Sequence, residues 1–125
     1  LGKLPYEQYL AVMQRSDVHV YLTYPFVLSW SLLEAMSLGK AIVGSATPPV
    51  EEVIEHEQQG LLTPFFDTHH LVEAVIRLLK DPHLRKQLGQ AARSKVIGQY
   101  DLHQCCLPQQ LSWIERLSQL PLRIQ

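Results

Sequence analysis

The chain has 125 residues, 46% of them hydrophobic and 18% charged, the proportions of one soluble globular domain able to bury a core, and not those of a disordered or fibrous chain. The formal net charge is -1 and the 11 Lys and Arg residues are dispersed, which excludes the basic footprint of a nucleic-acid binder. The two cysteines are neighbours, Cys105-Cys106, a spacing that suits neither an unstrained disulfide nor a zinc site, so a reducing, cytoplasmic setting is the default expectation.

Pro5 suits a first helical position, and Tyr6, Leu10 and Met13 recur at i, i+4 and i+7, which predicts a short amphipathic helix ending near Ser16-Asp17. Val18 to Leu22 is β-branched and aromatic and reads as a buried strand, followed by a loop from Thr23 to Leu28. The longest uncharged run, Val18 to Leu33, is interrupted by His19, Pro25, Ser29 and Ser31 and is too short to span a bilayer comfortably. Ser31 to Leu38 is predicted as a helix stopped by Gly39, and Ala41 to Gly44 as a second buried strand with an exit loop from Ser45 to Pro49. Strand, helix and strand in this order form a parallel unit whose ligands bind beyond the carboxyl ends of the strands, which makes 23–30 and 45–51 the candidate binding loops.

Glu51 to Ile54 reads as a single helical turn, and Leu61 to Thr63 as a third short strand stopped by Pro64. Asp67 is a good N-cap for a helix whose apolar stripe is Leu71, Val72, Val75, Ile76 and Leu79. Asp81-Pro82 separates it from a helix carrying Leu84, Leu88, Ala91 and Val96. Asp101 is a candidate cap for a last helix lined by Leu107, Leu111, Ile114 and Leu117, which Pro108 should kink or delay. The six histidines show no ligand spacing, and no metal site is expected.

The segment from Tyr24 to Ala46 runs into blocks that are recognisable together. SLLEAMSLGKAIVGSATPPVEEVI (Ser31 to Ile54), then Gly60 to Phe65 and Leu78 to Arg93, resemble the C-terminal domain of retaining glycosyltransferases with the GT-B fold, of the large family-four type. The resemblance extends over nearly the whole chain. It implies an α/β fold, a Rossmann-like parallel sheet flanked by helices, that forms part of the C-terminal domain of a GT-B enzyme. On this basis residues 1–125 are a nucleotide-sugar-binding fragment, roughly the last third of a two-domain protein, with the N-terminal acceptor domain and the start of this domain outside it. The implied reaction moves a sugar from a nucleoside-diphosphate donor to an acceptor hydroxyl with retention and without a metal. The implied partners are the nucleotide-sugar donor and an acceptor held through the N-terminal domain; membrane-surface attachment is left open.

The family carries two glutamates separated by seven residues. The second matches Glu34, for which the resemblance implies bonds to the ribose hydroxyls; the first falls on Phe26, so no catalytic residue can be assigned. Glu34 also fits a capping box in which its carboxylate bonds back to the Ser31 amide, and both readings stay open. The glycine-rich phosphate loop of the family is matched by Val27-Leu28-Ser29-Trp30, where main-chain amides opening a helix would face the diphosphate. Trp30 either covers the base or sugar or staples the loop to the domain, and Phe26 reads as an apolar filler or a stacking platform. Pro48-Pro49 replaces a common Gly-Gly and removes two amide donors; Glu52 matches the glutamate after it, and equally reads with Glu51 as a charge pair at a helix N-terminus. Lys3 and Leu4 match a stretch whose main chain meets the nucleobase. The donor-binding candidates are therefore Glu34, Ser29, Trp30, Leu28, Lys3, Leu4 and Glu52. Alternative readings are a degenerate, non-catalytic GT-B-like interaction or regulatory module, or a nucleotide-sugar epimerase or phosphorylase of the same architecture.

Overall fold

The computed structural model describes residues 2–24 and 28–119. Phe26 and Val27, on which two of the expectations above fall, lie outside the described residues. In chain order the elements are α1 (Tyr6–Arg15), β1 (Val18–Tyr21), α2 (Trp30–Ser37), β2 (Ala41–Ser45), α3 (Pro48–Glu51), β3 (Leu61–Thr63), α4 (Thr68–Lys80), α5 (Pro82–Tyr100) and, after a π-helical turn at Leu102–Cys106, α6 (Leu107–Ser118). The strands form one parallel sheet in the order β1-β2-β3, with Val18 opposite Ala41 and Val43 opposite Leu61.

β2 is buried along its whole length, as the central strand of a parallel sheet covered on both faces must be. Side chains alternate between the faces. Tyr21, Ile42 and Leu62 join Leu32, Ala35 and Met36 of α2, Val50 of α3 and Ala92 of α5 on one side. Val18, Ala41, Val43 and Leu61 pack against Leu71, Ala74, Val75 and Leu78 of α4 and Leu88 of α5 on the other. The long α5 serves both cores.

Three sequence expectations shift. The buried face of α4 is Leu71, Ala74, Val75 and Leu78, while Val72, Ile76 and Leu79 are exposed. Two apolar stripes run side by side on this helix, and only one can meet the sheet. The helical turn expected at Glu51 to Ile54 begins instead at Pro48, because prolines with their fixed φ fit the first turn of a helix, where no amide partner is needed. Near Pro108 the last α-helix is delayed, as expected, but by a π-helical turn that the pattern does not specify. The amides of Cys106 and Leu107 reach back five residues, to Asp101 and Leu102, and this wider turn lets α6 begin with Pro108 in its first turn. Asp101 accepts hydrogen bonds from the His103 and Gln104 amides, and Asp67 caps α4 through the His70 amide, as their sequence positions predict.

Candidate functional site

In a parallel sheet, ligands are taken beyond the carboxyl ends of the strands. Here the exits of β1 and β2 are tied together by the fully buried Ser45, whose hydroxyl accepts from the Thr23 amide at 3.2 Å and donates to the Thr23 carbonyl at 3.1 Å. Tyr21, buried at the end of β1, accepts the Ser29 amide on its hydroxyl at 2.8 Å and so anchors the start of α2 to the sheet. Leu28, the residue before the cap, packs against the first core with Leu33, the hydrophobic staple expected at a helix entry.

Ser29 is the N-cap of α2, and its hydroxyl accepts from the Ser31 amide. This removes the capping box anticipated between Ser31 and Glu34. The cap sits two residues earlier, and Glu34 lies in the second turn with its carboxylate unused by the helix. Its Oε1 accepts a hydrogen bond from the Tyr6 hydroxyl at 3.1 Å across a gap of 28 residues in sequence, and the Tyr9 hydroxyl also faces that carboxylate. Tyr6 stacks on Tyr9 with ring centroids 6.1 Å apart, and Tyr9 packs on the core. Burial first, and then the neighbouring Glu34 carboxylate, push the Tyr9 hydroxyl up to about 12; the hydrogen bond to Glu34 raises that of Tyr6 as well. Both phenols therefore remain protonated donors at neutral pH.

The remaining candidates fall into place unevenly. Lys3 and Leu4 lie just before Pro5, the N-cap of α1. Trp30 is 81% exposed at the first position of α2, so it does not staple its loop. The Ser29 amide, expected to face a diphosphate, is occupied by Tyr21. Glu52 is exposed and closes α3 at its C-terminal end, which corrects its reading as an N-terminal charge; Glu51 alone lies in the first turn. The two prolines leave a mark on Thr47, the N-cap of α3. An N-cap hydroxyl serves the amides of the second and third helical residues, but Pro49 has none and the Val50 amide bonds to the Thr47 carbonyl. The Thr47 hydroxyl is left buried without a partner among the described residues.

Tyr6, Tyr21 and Ser45 were not singled out from the sequence. Nothing local marks them, since each acts on a residue brought close only by the fold. A separate cleft of about 240 Å³ lies between β3 and α4, lined among others by His56, His70, Glu73 and Arg77. Its charged groups are paired, Arg77 with Glu57 and His70 with Asp67. Among the described residues no three His, Cys, Asp or Glu side chains are grouped to hold a metal ion, and no helix is long and apolar enough to cross a membrane.

Residues 1–95 match the family model of glycosyl transferases group 1. An uncharacterized glycosyltransferase of Methanocaldococcus jannaschii is 33% identical over 94 residues, covering 74% of this chain and 24% of the relative. The N-acetyl-alpha-D-glucosaminyl L-malate synthase of Bacillus anthracis is 33% identical over 89 residues, covering 71% of this chain and 23% of the relative. Sucrose-phosphate synthase from Thermosynechococcus elongatus has the same fold with a TM-score of 0.78 and 28% identity, covering 94% of this chain and 30% of that one. The chain thus spans about a quarter of the length of the curated relatives it matches. Its helix-flanked parallel sheet is the C-terminal part of a GT-B fold, and the chain belongs to the group 1 glycosyl transferases.

Proposed function

We propose that this chain is the donor-binding part of a retaining, hexosyltransferase-type glycosyltransferase that takes a sugar from a nucleoside diphosphate and passes it to an acceptor hydroxyl. The observation that carries the reading is Glu34: a carboxylate on α2 beyond the end of β1, free of any capping duty and steadied from α1 by Tyr6. A carboxylate accepts hydrogen bonds only, and a ribose offers two adjacent hydroxyl donors. The diphosphate would lie over the opening of α2, where the helix dipole and the Trp30 amide favour an anion and the Ser29 hydroxyl adds a polar contact. Lys3 and Leu4 would border the base. In the transfer, the bond from the sugar's anomeric carbon to the diphosphate breaks and a bond to the acceptor oxygen forms on the same face. Stabilising the departing diphosphate is the main catalytic contribution, and no metal is invoked. The acceptor would be held by residues outside this chain, so the fragment binds donor without turnover.

The relatives do not favour the readings as an epimerase, a phosphorylase or a non-catalytic module. The test is calorimetric titration with UDP, GDP and ADP, of this chain and of the longer protein that carries it. One diphosphate is expected to bind, and Glu34→Ala to weaken it by about 10- to 100-fold, the range for a hydrogen bond to a charged group. Absence of binding at millimolar concentration, or binding that survives Glu34→Ala undiminished, overturns the assignment.

A further inference from the structure

We propose that Tyr6 is a positioning residue for the nucleotide's ribose, its hydroxyl holding the Glu34 carboxylate in the orientation that accepts the ribose hydroxyls. The inference rests on the donor-site reading and adds to it a residue from a different helix.

Tyr6 is 60% exposed, so apolar burial does not explain an aromatic side chain at this place. What it does is specific. Its ring lies against Tyr9 at an interplanar angle of 30°, Tyr9 rests on the core, and the hydroxyl at the far end of the ring reaches Glu34. The rigid phenol thus carries the position of the core out to the carboxylate. Glu34 has a long side chain, and ordering such a side chain costs rotamer freedom. A bond made before the ligand arrives meets part of that cost in advance, which raises affinity without a new contact to the ligand.

The chemistry of the pair is directional. Tyr6 donates and Glu34 accepts on Oε1, and a carboxylate has further acceptor sites to offer the vicinal diol of a ribose. Because the phenol resists ionisation, with its pKa raised by the bond to Glu34, it never becomes a second anion facing the carboxylate at neutral pH. The bond also ties the first turn of α1, just after Lys3 and Leu4, to α2, and so joins the two stretches between which a nucleoside would lie.

The experiment compares Tyr6→Phe, which keeps the ring and its stack on Tyr9, with the unaltered protein. The ligand is whichever of UDP, GDP and ADP binds most tightly, tested beside its 2′,3′-dideoxy counterpart in the longer protein that carries this chain. Tyr6→Phe is expected to weaken the ribonucleotide by about 3- to 10-fold, the loss of one hydrogen bond's net contribution. It should leave the dideoxy nucleotide unchanged, and in a Glu34→Ala background it should have no further effect. Equal loss for both nucleotides would mean a merely structural role, and unchanged or tighter binding of the ribonucleotide would mean that Tyr6 does nothing for Glu34 or competes with the ribose; each of these overturns the proposal. If Glu34→Ala weakens binding and Tyr6→Phe does not, only the Tyr6 inference falls. If no diphosphate binds, or Glu34→Ala has no effect, the donor-site reading falls and takes this inference with it.

Discussion

Thr23 and Ser45 lie 22 residues apart and are bonded in both directions, the Ser45 hydroxyl accepting the Thr23 amide and donating to the Thr23 carbonyl. The two bonds take over at the point where regular pairing between β1 and β2 ends, so they determine how the loop leading to α2 leaves the sheet. Ser45 has no exposed surface, and its removal deprives the Thr23 amide and carbonyl of these partners in a part-buried setting. Ser45→Ala is expected to lower stability by about 1–3 kcal/mol, read as a fall in the urea midpoint, because an unpaired buried polar group costs more than an average hydrogen bond contributes. An unchanged midpoint would show that water replaces the hydroxyl at no cost.

Of the glycines, Gly89 leaves the least room for a side chain, and what it faces is another glycine. A Cβ at Gly89 of α5 would stand 2.1 Å from the carbonyl oxygen of Gly39, the residue that ends α2 with a φ of +67°. The obstacle is backbone, which cannot rotate aside. Gly89→Ala should therefore cost about 3 kcal/mol or more, at the upper end of overpacking effects. Gly98, in the same helix, has nothing within 4 Å of its would-be Cβ, and Gly98→Ala should stabilise by about 0.5–1 kcal/mol through helix propensity. Paired melts of the two variants test the packing of α5 on α2, since opposite signs are expected from the same substitution in one helix.

These contacts mark where the sequence was legible and where it was not. The three strands, the caps at Asp67 and Asp101 and the stop at Gly39 follow from local pattern, because each is decided by residues within one turn of itself. The start of α2 does not. Ser29 and Ser31 are both competent caps, and the choice falls to Ser29 because Tyr21, arriving from β1, takes its amide. On α4 the periodicity is right and the face partly so: Leu71 and Val75 meet the sheet, but the pattern cannot tell that Ala74 and Leu78, and not Val72, Ile76 and Leu79, complete the buried stripe. Glu34 stands out through its surrounding blocks, whereas Tyr6, 28 residues away, shows its purpose only when α1 and α2 are side by side.

Asp67 and His70 form a pair whose contribution has a defined pH window. Asp67 bonds both the His70 amide and its ring, at 3.0 Å and 2.6 Å. Those bonds hold the Asp67 carboxyl below its usual 3.8, and the carboxylate raises the His70 imidazole above 6.5. For His70, a folded value above the unfolded one gives stability that is complete below 6.5 and disappears as pH rises through the raised value. For Asp67, the contribution is present above 3.8 and disappears as pH falls through the depressed value. The difference in melting temperature between the unaltered protein and His70→Gln should thus be largest between 3.8 and 6.5 and shrink on either side. A difference that does not vary with pH would mean that the imidazole is uncharged throughout.

His19 acts in the opposite sense on the other side of 6.5. It lies half-buried in β1, with its Nε2 enclosed and unpartnered among the described residues, and burial lowers its pKa from 6.5. The fold prefers the neutral ring, so below 6.5 the unfolded chain binds the proton more readily. Stability is therefore unaffected by His19 above 6.5 and falls as the pH drops beneath it, until the folded value is also passed. In the unaltered protein, as pH falls, the gain from His70 is completed by 6.5 and the loss from His19 follows below it. His19→Leu removes the titration and places an apolar side chain in a half-apolar site, so its stability relative to the unaltered protein should increase as pH falls below 6.5, whereas that of His70→Gln should decrease above 6.5, as pH falls through the raised His70 value. Urea midpoints for the two variants on both sides of 6.5 separate the contributions. If the His19→Leu difference is flat, the ring is protonated equally in both states, and its enclosed nitrogen has found a partner in water.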